Sequence, residues 1–166
     1  MPKPTRSNIV TVRDAIGDLE SPRVTGDPVH RIVKVHTPEV MKRIRATPKN
    51  GGSRADVPEF ELACHKSEQV GFRDVYGRLR WDDFSSTITG GCLNPSKGRF
   101  LHPEEDRAIS AREAALLQTF PRGYKFPENV SKTSIALQIG NALPPTFSYV
   151  QSANILKHLK AAIESR

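Results

Sequence analysis

The chain has 166 residues, thirteen of them proline and eleven glycine, and a formal net charge of +7. This length suits one domain, or one modest domain with a docking arm. The apolar fraction of 37% lies below the roughly 45–50% of ordinary globular domains, so a small core and long loops are expected. No apolar run approaches the roughly 18 residues of a membrane span, and no signal-peptide core is present, so we expect a cytoplasmic protein with no membrane partner.

The first half of the chain predicts two short helices separated by loop. Residues 1–10 include two prolines and are expected to be flexible. Thr11, with Asp14 three residues later, forms a capping-box-like start for a helix in "TVRDAIGDL". Thr37 followed by Pro38 starts the second helix, "TPEVMKRIRAT", because threonine caps helices and proline suits the first helical position.

The second predicted helix lies in the most basic part of the chain. Residues 31–54 hold seven Lys or Arg against a single acid, Glu39. Charge at this density either contacts phosphates or forms a solvated basic face. For Lys42, Arg43 and Arg45, which share the helix, phosphates are the expected partners rather than bases.

The second half of the chain predicts short strands followed by two helices. "ELACHKS", "DVYGRLRW" and "SSTITGG" include β-branched and aromatic residues and are bounded by Gly and Asp, so strands are expected. Ser110 and Glu113 form a capping box at the start of "SAREAALLQTF". "PRGYKFPENVSKT" is expected to form a loop. A tight turn, "QIGNALPP" at residues 138–145, then leads into a last helix from Thr146 to Ile163, and its glycine is expected to adopt a backbone conformation closed to other residues.

The local chemistry predicts neither a catalytic nor a metal site. The sequence has no phosphate-binding P-loop, no GxGxxG, no CxxC and no histidine pair at metal spacing. Cys64 follows Ala63, and Cys92 follows Gly91. On these residues alone the chain is not a self-sufficient enzyme.

Several stretches together resemble one enzyme family. "RAISAREAALLQTFPRGYKF" resembles motif IX of the DNA cytosine-5 methyltransferases, and "QIGNALPP" resembles their motif X, with a spacer of the family's length between them. "VYGRLRWDDFSSTITGG" resembles the end of the target recognition region, with Thr87 and Ile88 at its Thr-hydrophobic dipeptide, and "TVRDAIGDL" resembles the helix after motif VIII. The resemblance covers roughly residues 10–164.

The resemblance implies an α+β fold for the C-terminal part of such an enzyme. Residues 11–126 would form a small target-recognition domain of short strands and helices. Residues 127–166 would carry motif X and a helix that docks on a Rossmann-like catalytic domain. The family's Pro-Cys nucleophile and Gly-rich cofactor loop are absent from this sequence. Because the chain starts at methionine, we expect the smaller subunit of a split enzyme, or a truncated member, whose catalytic partner is another chain.

The resemblance also implies a reaction. In the family a cytosine is flipped out of the duplex, a cysteine thiolate adds to its ring, and S-adenosylmethionine donates a methyl group to carbon 5. Asn141, Ala142 and Leu143 would line the S-adenosylmethionine pocket, although an ordinary turn before a helix remains the alternative. Leu137 departs from the family, which often has Arg or Lys at that position.

Double-stranded DNA is the partner that the resemblance implies, read through the major groove. Thr87 and Ile88 would lie at the DNA-facing edge near the flipped base, and the alternative for Thr87 is a plain β-strand threonine. Five basic residues flank the candidate strands and loops and are expected to contact guanine or phosphate: Arg73, Arg78, Arg80, Lys97 and Arg99.

The predicted helix of motif IX has two interpretations. By resemblance it braces the recognition region, with Arg112 holding backbone and Glu113 beside it; otherwise it is a capped surface helix. For the whole chain the alternatives are a stand-alone or decayed DNA-binding protein without catalysis, and a purely structural basic domain.

Overall fold

The computed structural model describes residues 9–60 and 74–164. Within them the chain forms five α-helices: α1 Val12–Ile16, α2 Pro38–Ala46, α3 Ala111–Leu117, α4 Lys132–Asn141 and α5 Pro145–Glu164. Three short 3₁₀ helices lie at Arg54–Asp56, Pro58–Phe60 and Pro95–Lys97. The predicted strand "ELACHKS" and nearly all of the N-terminus that was expected to be flexible lie outside the described residues.

The helix starts predicted from capping residues are confirmed. The Thr11 side chain and Asp14 form a reciprocal capping box at α1. The Thr37 hydroxyl accepts from the backbone N–H of Val40 at the start of α2. At α3 the Ser110 N–H donates to the Glu113 carboxylate at 2.7 Å. Each cap satisfies backbone N–H groups that have no partner within the helix.

Single β-bridges replace regular strands in the described part of the middle region. One parallel bridge joins Arg78 to Leu101, and one antiparallel bridge joins Leu101 to Ala108. The rest of "DVYGRLRW" and all of "SSTITGG" form turns and irregular backbone. The α+β class therefore stays a prediction.

Helix α4 was not predicted. Its first residues were interpreted as loop, and Gln138–Asn141 as part of a turn, whereas they form the last turn of α4. The Ser131 hydroxyl caps the helix by accepting from the N–H of Ser134 at 3.0 Å. Helix α4 ends where Ala142 becomes extended, and α5 begins three residues later at Pro145.

Helix α3 lies at the centre of the fold, between α1 and α4. It packs on α4 across the domain boundary predicted at residues 126 and 127, so those limits also stay a prediction. The core that the helices share with the middle loops consists mainly of Val12, Ile16, Leu79, Trp81, Ile88, Phe100, Ile109, Ala111, Ala114, Phe126, Ile135 and Ile139. None of the helices in residues 9–60 and 74–164 has the length and hydropathy needed to cross a membrane.

Candidate nucleic-acid interface

The turn at Thr87–Gly91 is held against the end of α4 by Gly140. A Cβ placed on Gly140 would lie 2.0 Å from the backbone N of Gly90 and from the carbonyl carbon of Thr89. Gly140 is helical and has no positive φ, so the expectation of a special backbone conformation was wrong. The glycine is needed because the helix backbone and the Thr89–Gly90 backbone touch.

Two residues that directly follow α3 form hydrogen bonds to the end of α4 and the start of α5. The side chain of Gln118 is buried and donates to the carbonyls of Ile139, at 3.3 Å, and Ala142, at 3.0 Å. The Thr119 hydroxyl accepts from the N–H of Thr146 at 3.1 Å. Neither residue was predicted to have this role, because nothing in the local sequence indicates these distant acceptors and donors.

Asn141, Ala142 and Leu143 lie at this junction. Asn141 and Leu143 are exposed, and Ala142 is half-buried. Their predicted place in an S-adenosylmethionine pocket stays a prediction. Leu137, the departure from the family, lies beside this site and packs on Gly90.

Arg78 is a structural residue, which corrects its prediction as a DNA contact. Its side chain is fully buried. It donates five hydrogen bonds of 2.7–2.9 Å, to the carbonyls of Ile44, Thr47, His102 and Glu105 and to the carboxylate of Asp106. A guanidinium held in this way cannot reach DNA without unfolding the loops around it.

Arg99 is also largely occupied within the fold. Its guanidinium donates to the carbonyls of Gly51 and Arg78, at 3.0 and 2.8 Å, and pairs with Asp74 at 3.0 Å. Its side chain is 23% exposed, so little of it is available to a partner.

The other predicted DNA contacts have different positions. Arg80, Lys97 and Thr87 are exposed, whereas Ile88 is a core residue with only 3% of its surface accessible. The prediction that Ile88 faces DNA is therefore corrected, because its side chain packs inward. Arg73 lies outside the described residues.

Helix α2 presents part of its basic residues to solvent. Lys42 and Arg45 are exposed, and Lys42 pairs with Glu39 at 3.0 Å. Arg43 is half-buried, and its Nε has no hydrogen-bond partner among the described residues. Lys42 and Arg45 are therefore more accessible to a phosphate than Arg43 is.

Arg112 and Glu113 of α3 are both buried in ion pairs. Arg112 pairs with Asp27 at 2.5 Å and donates to the carbonyl of Tyr124 at 3.0 Å. Glu113 accepts two hydrogen bonds from Arg107, at 2.7 and 2.8 Å. Burial works against the charged carboxylate, but Arg107 and its other partners outweigh burial and lower the pKa of Glu113.

The one described cysteine is not a nucleophile. Cys92 is fully buried, and burial raises the pKa of its thiol to about 11. The thiolate that attacks a cytosine ring must be formed near neutral pH, so Cys92 does not supply it. Cys64 lies outside the described residues and follows alanine rather than proline.

Sequence comparison decides the family. A family model described as C-5 cytosine-specific DNA methylase matches residues 2–157. The chain belongs to the C-5 cytosine-specific DNA methylase family. This confirms the resemblance at the level of the family.

Relatives of this C-5 cytosine-specific DNA methylase family member include bacterial and plant enzymes. The Type II methylase M.HgiDII of Herpetosiphon aurantiacus is 42% identical over 98% of this chain and 48% of its own length. The Type II methyltransferase M1.BsuMI of Bacillus subtilis is 32% identical over 86% of this chain and 33% of its own length. DNA (cytosine-5)-methyltransferase 3 of Arabidopsis thaliana is 30% identical over 95% of this chain and 13% of its own length. This family member thus spans about half or less of the length of each of these relatives.

Proposed function

We propose that this chain is the DNA-recognition part of an S-adenosylmethionine-dependent DNA cytosine-5 methyltransferase of a restriction-modification system. A catalytic partner would supply the nucleophilic cysteine and most of the cofactor site. The observation that carries the proposal is the match to a methylase family model over residues 2–157 in a sequence with no Pro-Cys. A chain with these motifs and no Pro-Cys would need a second part to complete the reaction.

The proposed DNA side consists of the exposed residues around the Thr87–Gly91 turn. Thr87 would face the flipped cytosine, and Arg80 offers a bidentate fork for guanine or phosphate. Lys42 and Arg45 on α2 would add phosphate contacts.

The proposed cofactor side consists of the end of α4. Asn141, Ala142 and Leu143 would form one wall of the S-adenosylmethionine pocket, and the catalytic partner the rest. S-adenosylmethionine supplies the methyl group when it is bound. Because Gly140 touches the Thr89–Gly90 backbone, the cofactor-side helix and the DNA-side turn share a contact that keeps them in register.

The proposed docking element is α5. It has no buried residue over its 20 residues, and six of its large apolar side chains are more than half exposed: Phe147, Tyr149, Ile155, Leu156, Leu159 and Ile163. Apolar residues clustered on an otherwise uncovered helix indicate an interaction surface. We place the Rossmann-like catalytic domain on this face, with the whole assembly acting in the cytoplasm.

The test is complementation with a catalytic half. This chain is mixed with the part of M.HgiDII that it does not match, and with any catalytic half encoded beside this chain. Transfer of a radiolabelled methyl group from S-adenosylmethionine to double-stranded DNA is measured. We expect transfer only when both parts are present, with 5-methylcytosine as the product.

The matched control is the part of M.HgiDII that this chain matches, combined with the same catalytic half. If this control restores transfer and our chain never does with any catalytic half, the proposal is wrong. DNA binding by our chain in that case would favour the alternative, a DNA-binding protein without catalysis.

A further inference from the structure

A concave pocket with a basic rim lies between the 90–97 loop and the start of α4. Its volume is about 430 Å³. Leu93 and Ala136 are its buried apolar residues, and the remaining lining is Lys34, Gly90, Gly91, Asn94, Lys97, Lys132 and Thr133. We call this site the lysine pocket. Its three cations come from three separate segments of the chain.

The positions of two of these lysines are set by specific contacts. The Lys132 Nζ donates to the carbonyl of Val33 at 3.2 Å, which holds it beside the residue that precedes Lys34 in the chain. The Lys97 stem lies on Gly91, where an added Cβ would be 2.7 Å from the Lys97 Cβ. A glycine at residue 91 therefore lets Lys97 lie close to the loop backbone.

The charge of the lysine pocket is not neutralised by its own lining, which includes no acidic residue. Among the described residues, neither Lys34, Lys97 nor Lys132 forms an ion pair, whereas Lys42 and Lys49 both do. Three ammonium groups around one pocket that has no acid in its lining repel one another, and an anion in the pocket relieves that repulsion. The start of α4 adds the partial positive charge of a helix N-terminus.

We infer that the lysine pocket binds a backbone phosphate of the DNA strand that passes Thr87. This rests on the proposed function and extends it, since Lys132 lies outside the residues expected from sequence to contact DNA, and Lys34 was expected to do so only as one alternative for the basic stretch 31–54. Gly90 and Gly91 line the pocket and directly follow the Thr87–Thr89 segment, so one strand can contact both. The rim lysines and Thr133 are exposed, which leaves the pocket open to a polymer.

The test is the salt dependence of DNA affinity. The triple variant Lys34→Gln, Lys97→Gln and Lys132→Gln is compared with wild type by fluorescence anisotropy on a labelled duplex. We expect roughly tenfold weaker binding at about 50 mM salt, and a slope of log K against log[salt] that is smaller by about 1, because one phosphate contact is lost. Replacing the same three lysines by arginine should keep the wild-type slope.

The matched control carries the same change in net charge outside the pocket, with Lys125→Gln, Lys157→Gln and Lys160→Gln, all at exposed positions. Its slope should stay within experimental error of wild type. Thermal unfolding of every variant checks that a smaller slope of log K against log[salt] does not result from unfolding of the variant.

Three results would overturn the inference: equal slopes for wild type and pocket variant, equal losses in pocket and control variants, or no binding of DNA by wild type at low salt. Tight binding of inorganic phosphate with an unchanged DNA slope would also overturn it, in favour of a free-anion site. None of these depends on methyl transfer. A chain that fails complementation but shows the lysine-dependent slope would contradict the proposed function alone.

Discussion

Helix α3 is short and mostly buried, whereas α5 is long and has no buried residue. Helix α3 has seven residues, five of them buried, including Arg112 and Glu113. Helix α5 has 20 residues and none of them is buried. An isolated helix shorter than roughly 12–15 residues is marginal in water, so α3 exists because of what surrounds it. We therefore expect the polar and apolar contacts around α3 to stabilise this chain, whereas α5 leaves apolar surface exposed.

The largest expected effect comes from breaking the buried polar network of Arg78, which joins residues 44–47 to residues 102–106. Arg78→Met leaves four backbone carbonyls and Asp106 without their buried donor. We expect the free energy of unfolding to fall by about 3–5 kcal/mol, because desolvated polar groups lose their partners. Urea unfolding followed by circular dichroism measures it.

The matched control is Arg80→Met, two residues further on. Arg80 is exposed, and its stem lies over Gly51. Its replacement should change stability by no more than about 0.5 kcal/mol, while DNA affinity falls. If both variants lose similar stability, the buried hydrogen bonds of Arg78 are not what stabilises these loops.

The next effect is a pH dependence centred on His102, which faces Glu113 of α3. Its Nδ1 accepts from the N–H groups of Glu104 and Glu105, and burial lowers the pKa of His102 to about 4. The unfolded state gains a proton below about pH 6.5 while the folded state does not. Stability is therefore fully present above that pH and falls by about 3 kcal/mol as the pH drops to the folded-state value.

Urea unfolding of wild type and His102→Asn between about pH 7 and pH 4 measures this dependence. The variant should show a flatter profile, because its side chain does not titrate. His36, whose pKa burial also lowers, is present in both proteins and cancels in the comparison. Parallel profiles would show that His102 is not the source.

A smaller effect comes from the contact between Gly140 of α4 and the Thr89–Gly90 backbone. Helix propensity alone predicts that Gly140→Ala stabilises the chain by about 0.5–1 kcal/mol. The 2.0 Å approach to the Thr89–Gly90 backbone predicts the opposite sign, with a cost of about 1–3 kcal/mol. Thermal or urea unfolding decides between them.

Gly123→Ala is the control, since a Cβ there would meet nothing within 4 Å. Its effect should stay within about 0.5 kcal/mol. A stabilised Gly140→Ala variant would mean that the turn is free to move away from α4.

Local signals predicted those parts of the fold that local chemistry determines. Threonine or serine caps with an acid three residues later predicted α1 and α3, because a cap acts within one turn of helix. Helix α4 was missed, because Ser131 has serine rather than an acid three residues later and the glycine near its end indicated a turn.

The site was harder to predict for a physical reason. Arg78 and Arg80 are two residues apart in one segment, yet one is buried and the other exposed. Their difference comes from residues 44–47 and 102–106, which local sequence does not bring together. The same holds for the lysine pocket, whose three cations lie up to about a hundred residues apart in the chain.

The smallest expected effect on stability is also the sharpest test of α5. Leu156 and Leu159 are 53% and 57% exposed, so replacing both with glutamine should change the unfolding free energy of the isolated chain by no more than about 0.5 kcal/mol. Ile139→Gln in α4, at a fully buried position, should cost about 2–5 kcal/mol. Yet the α5 variant should lose methyl transfer in the complementation assay while still binding DNA. A destabilised α5 variant would show that α5 already packs on this chain, and an active one that the catalytic domain docks elsewhere.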